Sequence, residues 1–179
     1  QGFFDVPVDN LFTTPIFARY IKKNIRSKNF ICVSPDAGGI ERTRGLAKKI
    51  NADLAIIDKR RPQAGKSQVM NIIGEVRNKD CIIVDDIIDS GGTIVNAADA
   101  LIKNGARDVY VFVTHAVLSG EAINKIKKSK IKKLIITDTI DNAKRIKNIN
   151  KIQVLSIAPL MAEAIKRISN STSVSDLFN

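Results

Sequence analysis

Aromatic residues are scarce in this chain, which contains no Trp and only 5% aromatic residues in all. Proteins that bind single-stranded nucleic acids stack the bases on aromatic side chains, so few platforms for such binding are present. The net charge of +11 attracts anions, but no named DNA- or RNA-binding motif accompanies it. We therefore expect a solvated basic surface that attracts phosphorylated substrates, and no nucleic-acid partner.

Cysteine and histidine are also rare, with two Cys and one His in the whole sequence. Neither Cys32 nor Cys81 has a CxxC partner or metal-site spacing, and both begin strand-like runs in which small buried thiols are common. His115 ends another strand-like run, where a lone His more often has a structural role. We assign no chemistry to these three side chains.

Long apolar runs are absent: no stretch of about 18 apolar residues occurs, and no charged segment followed by an apolar one marks a secretory leader. The sequence therefore predicts no membrane span, and we expect a cytoplasmic protein. Pro, Gly and Ser form no linker-like stretch, and 179 residues with 44% hydrophobic composition suffice for one core. We expect a single domain over residues 1–179.

Short apolar runs alternate with amphipathic runs along the chain. The strand-like runs are 30–34, 54–58, 81–86, 109–115, 133–138 and 152–158. The helix-like runs are 39–50, 93–105, 120–129 and 159–169. This alternation is typical of βαβ units and predicts an α/β fold, a mostly parallel twisted sheet with helices on both faces. Thr14 and Pro15 also predict a helix start, with Thr14 as the cap.

The most informative stretch is IIVDDIIDSGGT, residues 82–93, because it places acidic and small residues directly behind a buried strand. Asp85 and Asp86 stand at the carboxyl end of the strand, where open α/β sheets bind ligands. The residues that lead into the next helix are Asp89, Ser90, Gly91, Gly92 and Thr93. Unpaired N–H groups at a helix start can face an anion, and carboxylates suit sugar hydroxyls or Mg²⁺. The stretch therefore predicts a pocket for a sugar phosphate.

Two further loops follow strand-like runs. The turn SPDAGG at 34–39 can wrap backbone amides around a diphosphate while Asp36 meets a cation. The basic run 59–61 precedes the polar stretch 62–67, which we predict to be a mobile loop. Charged donors on such a loop can close over a triphosphate and stabilise charge on the transferred group.

Segments along the whole chain resemble, in the same order, those of the ribose-phosphate diphosphokinases, also called phosphoribosyl pyrophosphate synthetases. They are QGFFDVPVDNL, VSPDAGG, DKRRP with the downstream VMNIIGEV, VDDIIDSGGT, THAVLSGEAI and SVSDLF. Residues 82–93 alone resemble the ribose-phosphate loop of the type I phosphoribosyltransferase fold, with Ser90 for the usual Thr. The resemblance implies that fold, and it implies that the chain is the C-terminal domain of a two-domain synthetase whose N-terminal domain is absent.

The resemblance also implies an activity, the transfer of the diphosphoryl group of ATP to the 1-hydroxyl of ribose 5-phosphate, with release of AMP. By resemblance, Lys59 and Arg61 stabilise the transition state and Asp36 binds Mg²⁺. The residues implied to bind ribose 5-phosphate are Asp85, Asp86, Asp89, Ser90, Gly91, Gly92 and Thr93. The implied partners are ribose 5-phosphate, ATP and further copies of the chain, as dimers that assemble into hexamers.

A regulatory site for phosphate or ADP is implied as well. Its residues would be Gln1, Asp9, Asn10, Ser173, Ser175 and Phe178, although Asp176 stands where the family usually has an aromatic or apolar residue. The family's cation-binding His and much of its adenine pocket come from segments before Gln1. We therefore expect the chain to bind ribose 5-phosphate and to have little or no synthetase activity alone.

Two other functions stay open. A phosphoribosyltransferase would use phosphoribosyl pyrophosphate as its substrate, but no extra segment that could cover a base is apparent. A non-catalytic subunit associated with a synthetase would keep the fold, but the presence of Lys59, Arg61 and Asp86 favours an enzyme.

Overall fold

The computed structural model describes residues 2–27, 29–60 and 69–178, and of residues 59, 60, 69 and 70 it describes the backbone alone. The strands in this part of the chain are β1 (Phe30–Ser34), β2 (Asp53–Arg60), β3 (Val69–Ile73), β4 (Asp80–Ile88), β5 (Asp108–Ala116), β6 (Lys133–Thr137) and β7 (Ile152–Leu155). The α-helices are α1 (Thr14–Asn24), α2 (Ile40–Ile50), α3 (Gly92–Lys103), α4 (Ala122–Lys128), α5 (Ala143–Ile146) and α6 (Ala158–Ser169).

All of these strands form one sheet, in the order β3-β2-β1-β4-β5-β6-β7. Every neighbouring pair is parallel except β2 and β3, which are antiparallel. The predicted α/β fold with a mostly parallel sheet is therefore confirmed. The edge strand β3 and the short helix α5 are elements that the sequence did not predict.

The two faces of the sheet carry separate apolar layers. On β4, Cys81 and Ile83 belong to the layer that also contains α3 and α4, whereas Ile82 and Val84 belong to the layer of α1 and α2. Successive strand residues point to opposite faces, and helices cover both, so β4 is apolar at every one of these positions. This double burial explains why the strand reads as a continuous apolar run.

Both cysteines are buried in these layers and neither forms a disulfide. Burial raises the pKa of Cys32 to about 12 and that of Cys81 to about 12, so both remain neutral thiols. They pack as small apolar side chains, Cys81 in the layer of α3 and α4 and Cys32 in the layer of α1 and α2.

Helix α1 begins one residue away from the predicted arrangement. Thr14 is its first residue and Thr13 occupies the cap position, without a capping hydrogen bond from its side chain. The Thr13 hydroxyl instead lies 2.8 Å from that of Thr114 on β5. A tertiary contact has replaced the local cap that the sequence predicted. None of the helices that the structure describes is long and apolar enough to cross a membrane.

A crevice forms where the chain direction across the sheet reverses. From β1 the chain passes through α2 to β2 on one side, and from β4 it passes through α3 to β5 on the other. Helices α2 and α3 lie on opposite faces of the sheet. Open α/β sheets bind ligands at such a switch point, outside the carboxyl ends of the strands. Here those ends belong to β1 and β4.

Candidate active site

A cavity of about 320 Å³ opens at the carboxyl ends of β1 and β4. It is lined by Asp36, Asp85, Asp86, Ile87, Ile88, Asp89, Ser90, Gly91, Gly92, Thr93 and Ile94. The structure thus brings together all seven residues that the resemblance assigns to ribose 5-phosphate, and it adds Asp36 from the other strand. Residues 85–93 are local in sequence, but Asp36 reaches them only through the parallel pairing of β1 with β4.

An arginine bridges the two acidic residues at the end of β4. Arg42 of α2 donates from Nη1 to Asp85 at 3.2 Å and from Nη2 to Asp86 at 2.6 Å. The Asp85 side chain is 17% exposed and the Asp86 side chain 55% exposed, so Asp86 presents the more accessible carboxylate. The backbone N–H groups of Asp86 and Ile87 donate to the carboxylates of Asp85 and Asp86, respectively, both at 2.9 Å. These bonds fix both side chains at the rim of the cavity.

The two carboxylates differ in acidity. Burial raises the pKa of Asp85 to about 6, and the adjacent Asp86 adds to this rise, while the Asp86 N–H and Arg42 oppose it. Partial burial also raises the pKa of Asp86, but the hydrogen bond with Asp85 and the charge of Arg42 outweigh it and keep this pKa below its usual value. Asp86 is therefore the more acidic of the pair, whereas Asp85 takes up a proton as the pH falls through about 6.

This difference predicts a pH-dependent stability. Because the folded-state pKa of Asp85 is raised to about 6, Asp85 contributes stability that is present below its unfolded pKa and lost as the pH rises through the folded one. The free energy of unfolding of the wild type should fall relative to Asp85→Asn by about 2 kcal/mol between about pH 4 and pH 7. Urea unfolding of both proteins across this range measures the difference.

The matched control for this pH series is Asp5→Asn, which removes an exposed carboxylate. Its stability should run parallel to that of the wild type over the same range. A constant difference between Asp85→Asn and wild type would contradict the raised pKa of Asp85.

The loop between β4 and α3 presents unpaired amides to the cavity. Among the described residues, no acceptor takes the backbone N–H groups of residues 89–94. Gly91 caps α3 at a φ of 75°, a left-handed conformation in which glycine is unstrained. At Gly92, an added Cβ would meet no atom within 4 Å. The loop thus combines free donors with open space at a helix N-terminus, an arrangement suited to a phosphate.

The turn after β1 holds Asp36 in place by local bonds. Its carboxylate accepts from the N–H of Gly39 at 3.1 Å, and the Ser34 hydroxyl donates to the Asp36 carbonyl at 2.6 Å. An added Cβ on Gly39 would lie 2.9 Å from the Ser34 hydroxyl, so the tight turn requires glycine there. Within the described ranges, no three Asp, Glu, His or Cys side chains cluster as a ready metal cage.

Of the two residues predicted to be catalytic, Lys59 and Arg61, the structure describes only the backbone of Lys59. Lys59 is the penultimate residue of β2, close to the carboxyl end of that strand, and its side chain is not described. Arg61 and the predicted mobile loop at 62–67 fall outside the described residues. Their roles stay predictions.

The predicted regulatory residues are only partly brought together. A second cavity, of about 690 Å³, lies beside the first and is lined by Asn10 and Phe178 among others. Phe178 packs edge to face against Phe12, with ring centroids 5.4 Å apart. The residues that do not line this cavity are Asp9, Ser173 and Ser175. Gln1 lies outside the described residues.

Sequence reasoning missed two basic residues near the site. Arg42 of α2 lies 3.2 Å from Asp85, and Lys125 of α4 donates to the Ser90 carbonyl at 3.3 Å. No local pattern marks either one, since each reaches the site across a crossover connection. His115 is exposed, its Nδ1 lies 3.0 Å from the Thr139 hydroxyl, and it lines the larger cavity but not the smaller one.

Known proteins resemble the chain over its whole length. Curated ribose-phosphate pyrophosphokinases from Rhizobium meliloti and Brucella melitensis are each 52% identical to it over 179 residues, which is 100% of this chain and 58% of each relative. The chain therefore spans less than two thirds of the length of these relatives. The resemblance found in the sequence to ribose-phosphate diphosphokinases is confirmed.

Solved structures and a family model agree with these relatives. A phosphoribosylpyrophosphate synthetase from Mycobacterium smegmatis matches with a TM-score of 0.85 at 35% identity, covering 96% of this chain and 55% of that chain. A purine phosphoribosyltransferase from Pyrococcus horikoshii, with a TM-score of 0.51 at 20% identity over 60% of this chain and 73% of that chain, shares the fold. The model of the phosphoribosyl synthetase-associated domain matches residues 61–179, more than half of the sequence, and the chain belongs to that family.

Proposed function

We propose that the chain is the ribose 5-phosphate-binding part of a ribose-phosphate diphosphokinase, which transfers the diphosphoryl group of ATP to the 1-hydroxyl of ribose 5-phosphate and releases AMP. The observation that carries this proposal is the cavity of about 320 Å³, where the adjacent carboxylates of Asp85 and Asp86 and a row of free amides line one crevice. The amides suit a phosphate, and the carboxylates suit sugar hydroxyls a few ångströms away.

Each end of the substrate has a matching group in this proposal. The 5-phosphate accepts hydrogen bonds from the backbone of residues 89–93, where the dipole of α3 adds positive potential. The ribose hydroxyls donate to Asp86, the ionised and exposed carboxylate, and to Asp85 behind it. Because Arg42 fixes both acids, the sugar meets acceptors that are already oriented.

The donor substrate and its metal involve a different set of residues. Diphosphoryl transfer depends on positioning and electrostatic stabilisation more than on a protein nucleophile. Mg²⁺ usually takes one or two protein carboxylates and completes its shell with phosphate oxygens and water, which fits Asp36 beside the acidic pair better than a closed cage would. When bound, Mg²⁺ would neutralise phosphate charge. Lys59 and Arg61 would stabilise the charge that develops on the transferred group.

Binding of ribose 5-phosphate tests the proposal directly. We expect calorimetry to show saturable binding of ribose 5-phosphate by the chain, and at least about tenfold weaker binding of ribose, which lacks the charged group for the loop amides. Equal affinities for the two ligands, or no binding of ribose 5-phosphate, would contradict the proposed site.

The activity of the chain by itself is a separate part of the proposal. The 179 residues span 58% of the length of the synthetases that they match, so we propose that they bind the acceptor sugar but release little or no AMP from ATP alone. AMP release at rates near those of a full-length synthetase would sink this statement. Release of pyrophosphate from phosphoribosyl pyrophosphate and a base would favour the alternative, a phosphoribosyltransferase.

We also propose self-association and regulation. Phe3 is 100% exposed and Phe4 is 65% exposed. Exposed aromatic side chains suit an interface between copies of the chain, in dimers that assemble into hexamers. Asn10 and Phe178 share the cavity of about 690 Å³, which supports a regulatory anion or nucleotide site near the termini of the described chain.

A further inference from the structure

The segment that follows β5 donates backbone hydrogen bonds to the end of β4 and to the phosphate loop, which is the loop of residues 89–93 that leads from β4 into α3. The carbonyl of Ile88 accepts from the N–H groups of Val117 at 3.0 Å and Leu118 at 3.1 Å, and the carbonyl of Asp89 accepts from the N–H of Ser119 at 3.2 Å. In a trans peptide the C=O and the following N–H point in opposite directions, and the described chain contains no cis peptide. These bonds therefore turn the N–H groups of residues 89 and 90 away from the 117–119 segment.

The same three peptide units are held from behind by two side chains at the start of α5. Asn142 donates to the Ala116 carbonyl at 2.6 Å. Arg145 donates from Nη1 to the Val117 carbonyl at 3.1 Å and from Nη2 to the Leu118 carbonyl. Each carbonyl belongs to the peptide whose N–H is donated to the phosphate loop, so the direction of every donor is fixed at its other end.

Further contacts tie these two side chains to each other and to the strained backbone. Arg145 Nη1 also donates to Asn142 Oδ1 at 3.1 Å, and Asn142 is buried with 4% exposure. Leu118 is fully buried and adopts a φ of 52°, an unusual conformation for a residue other than glycine, which persists only where its surroundings fix it. Arg145 and Leu118 thus form a defined unit rather than a flexible turn.

We propose that Arg145 is a positioning residue for the phosphate-binding loop. It acts through two successive layers of peptide groups: the peptides of residues 116–119, and then the peptides of residues 88–90 whose N–H groups line the cavity. Hydrogen bonds in such a series polarise one another, so a cation at the far end strengthens the donors at the near end. The inference rests on the proposed function, because it concerns the loop assigned to the 5-phosphate.

The test compares Arg145→Met with two matched variants. Arg145→Lys keeps the charge but can bond only one of the carbonyls well, and Lys144→Met removes an equal charge from the exposed neighbour. We expect Arg145→Met to weaken ribose 5-phosphate binding by about three- to tenfold in calorimetry, Arg145→Lys to restore part of this, and Lys144→Met to match the wild type. In the free proteins, amide NMR shifts of Asp89, Ser90 and Gly91 should move in the same order.

A merely structural role gives a different result. In that case Arg145→Met lowers thermal stability while the folded protein keeps wild-type affinity and wild-type loop amide shifts, and this outcome overturns the inference. If Arg145→Met does not fold, Arg145→Lys carries both measurements. If the wild type itself does not bind ribose 5-phosphate, the proposed function fails, and the loop amide shifts of the free variants alone decide whether Arg145 positions the loop.

Discussion

Gly92→Ala is expected to weaken ribose 5-phosphate binding by about 10- to 100-fold while leaving the protein at least as stable as before. Gly92 is the first residue of α3 and lines the smaller cavity, and an added Cβ would meet no protein atom within 4 Å. Within the protein nothing therefore excludes a methyl group here. Glycine is required at this position only if a ligand approaches the backbone closely. Calorimetry with ribose 5-phosphate and urea unfolding measure the two effects.

The matched control for Gly92→Ala is Gly45→Ala in α2. A Cβ on Gly45 would also meet no atom within 4 Å, and Gly45 is absent from the lining of the smaller cavity. Alanine should stabilise either helix by up to about 1 kcal/mol relative to glycine, and only the Gly92 variant should lose affinity. Wild-type affinity in Gly92→Ala would show that the phosphate does not bind at this loop, and the proposed function would lose its main support.

The sequence predicts this loop well because its determinants are contiguous. A parallel strand that is buried on both faces has one continuous apolar run as its sequence. The acidic residues and glycines that follow this run in sequence lie at the carboxyl end of the strand, however the rest of the chain folds. Asp36 follows from the same rule applied to β1. Both strands end at the same edge because they are parallel neighbours, and the cavity that they share contains all of these residues.

Contacts that depend on helix placement could not be predicted in the same way. Arg42 lies 43 positions from Asp85, and Lys125 lies 35 positions from Ser90. Which residue of a helix reaches a neighbouring strand end depends on the rotation and offset of the helix on the sheet, which periodicity alone does not give. Thr13 shows the converse, because its hydroxyl contacts Thr114 instead of capping α1. The short edge strand β3 lacked a pattern long enough to predict it.

Asp86→Asn is expected to lower the affinity for ribose 5-phosphate by about 10- to 100-fold, the cost of removing a charged hydrogen-bond acceptor. The substitution removes a charge from the site and leaves the fold intact. Asp86 Oδ1 accepts from the Ile87 N–H at 2.9 Å, a bond that an amide oxygen can keep. The other oxygen accepts from Arg42 at 2.6 Å, and in Asn an NH₂ group would face that guanidinium instead. Backbone geometry is therefore retained while the negative charge offered to the sugar is lost.

The loss of Asp86 also alters its neighbour, and this gives the prediction a second readout. Asp86 contributes to the raised pKa of Asp85, so its neutralisation should lower that pKa from about 6 and shift any pH dependence of binding to lower pH. Asp53→Asn removes an exposed carboxylate from the start of β2, at the opposite edge of the sheet, and should change neither quantity. Unchanged affinity in Asp86→Asn, measured by calorimetry on folded protein, would show that the sugar hydroxyls do not use this carboxylate.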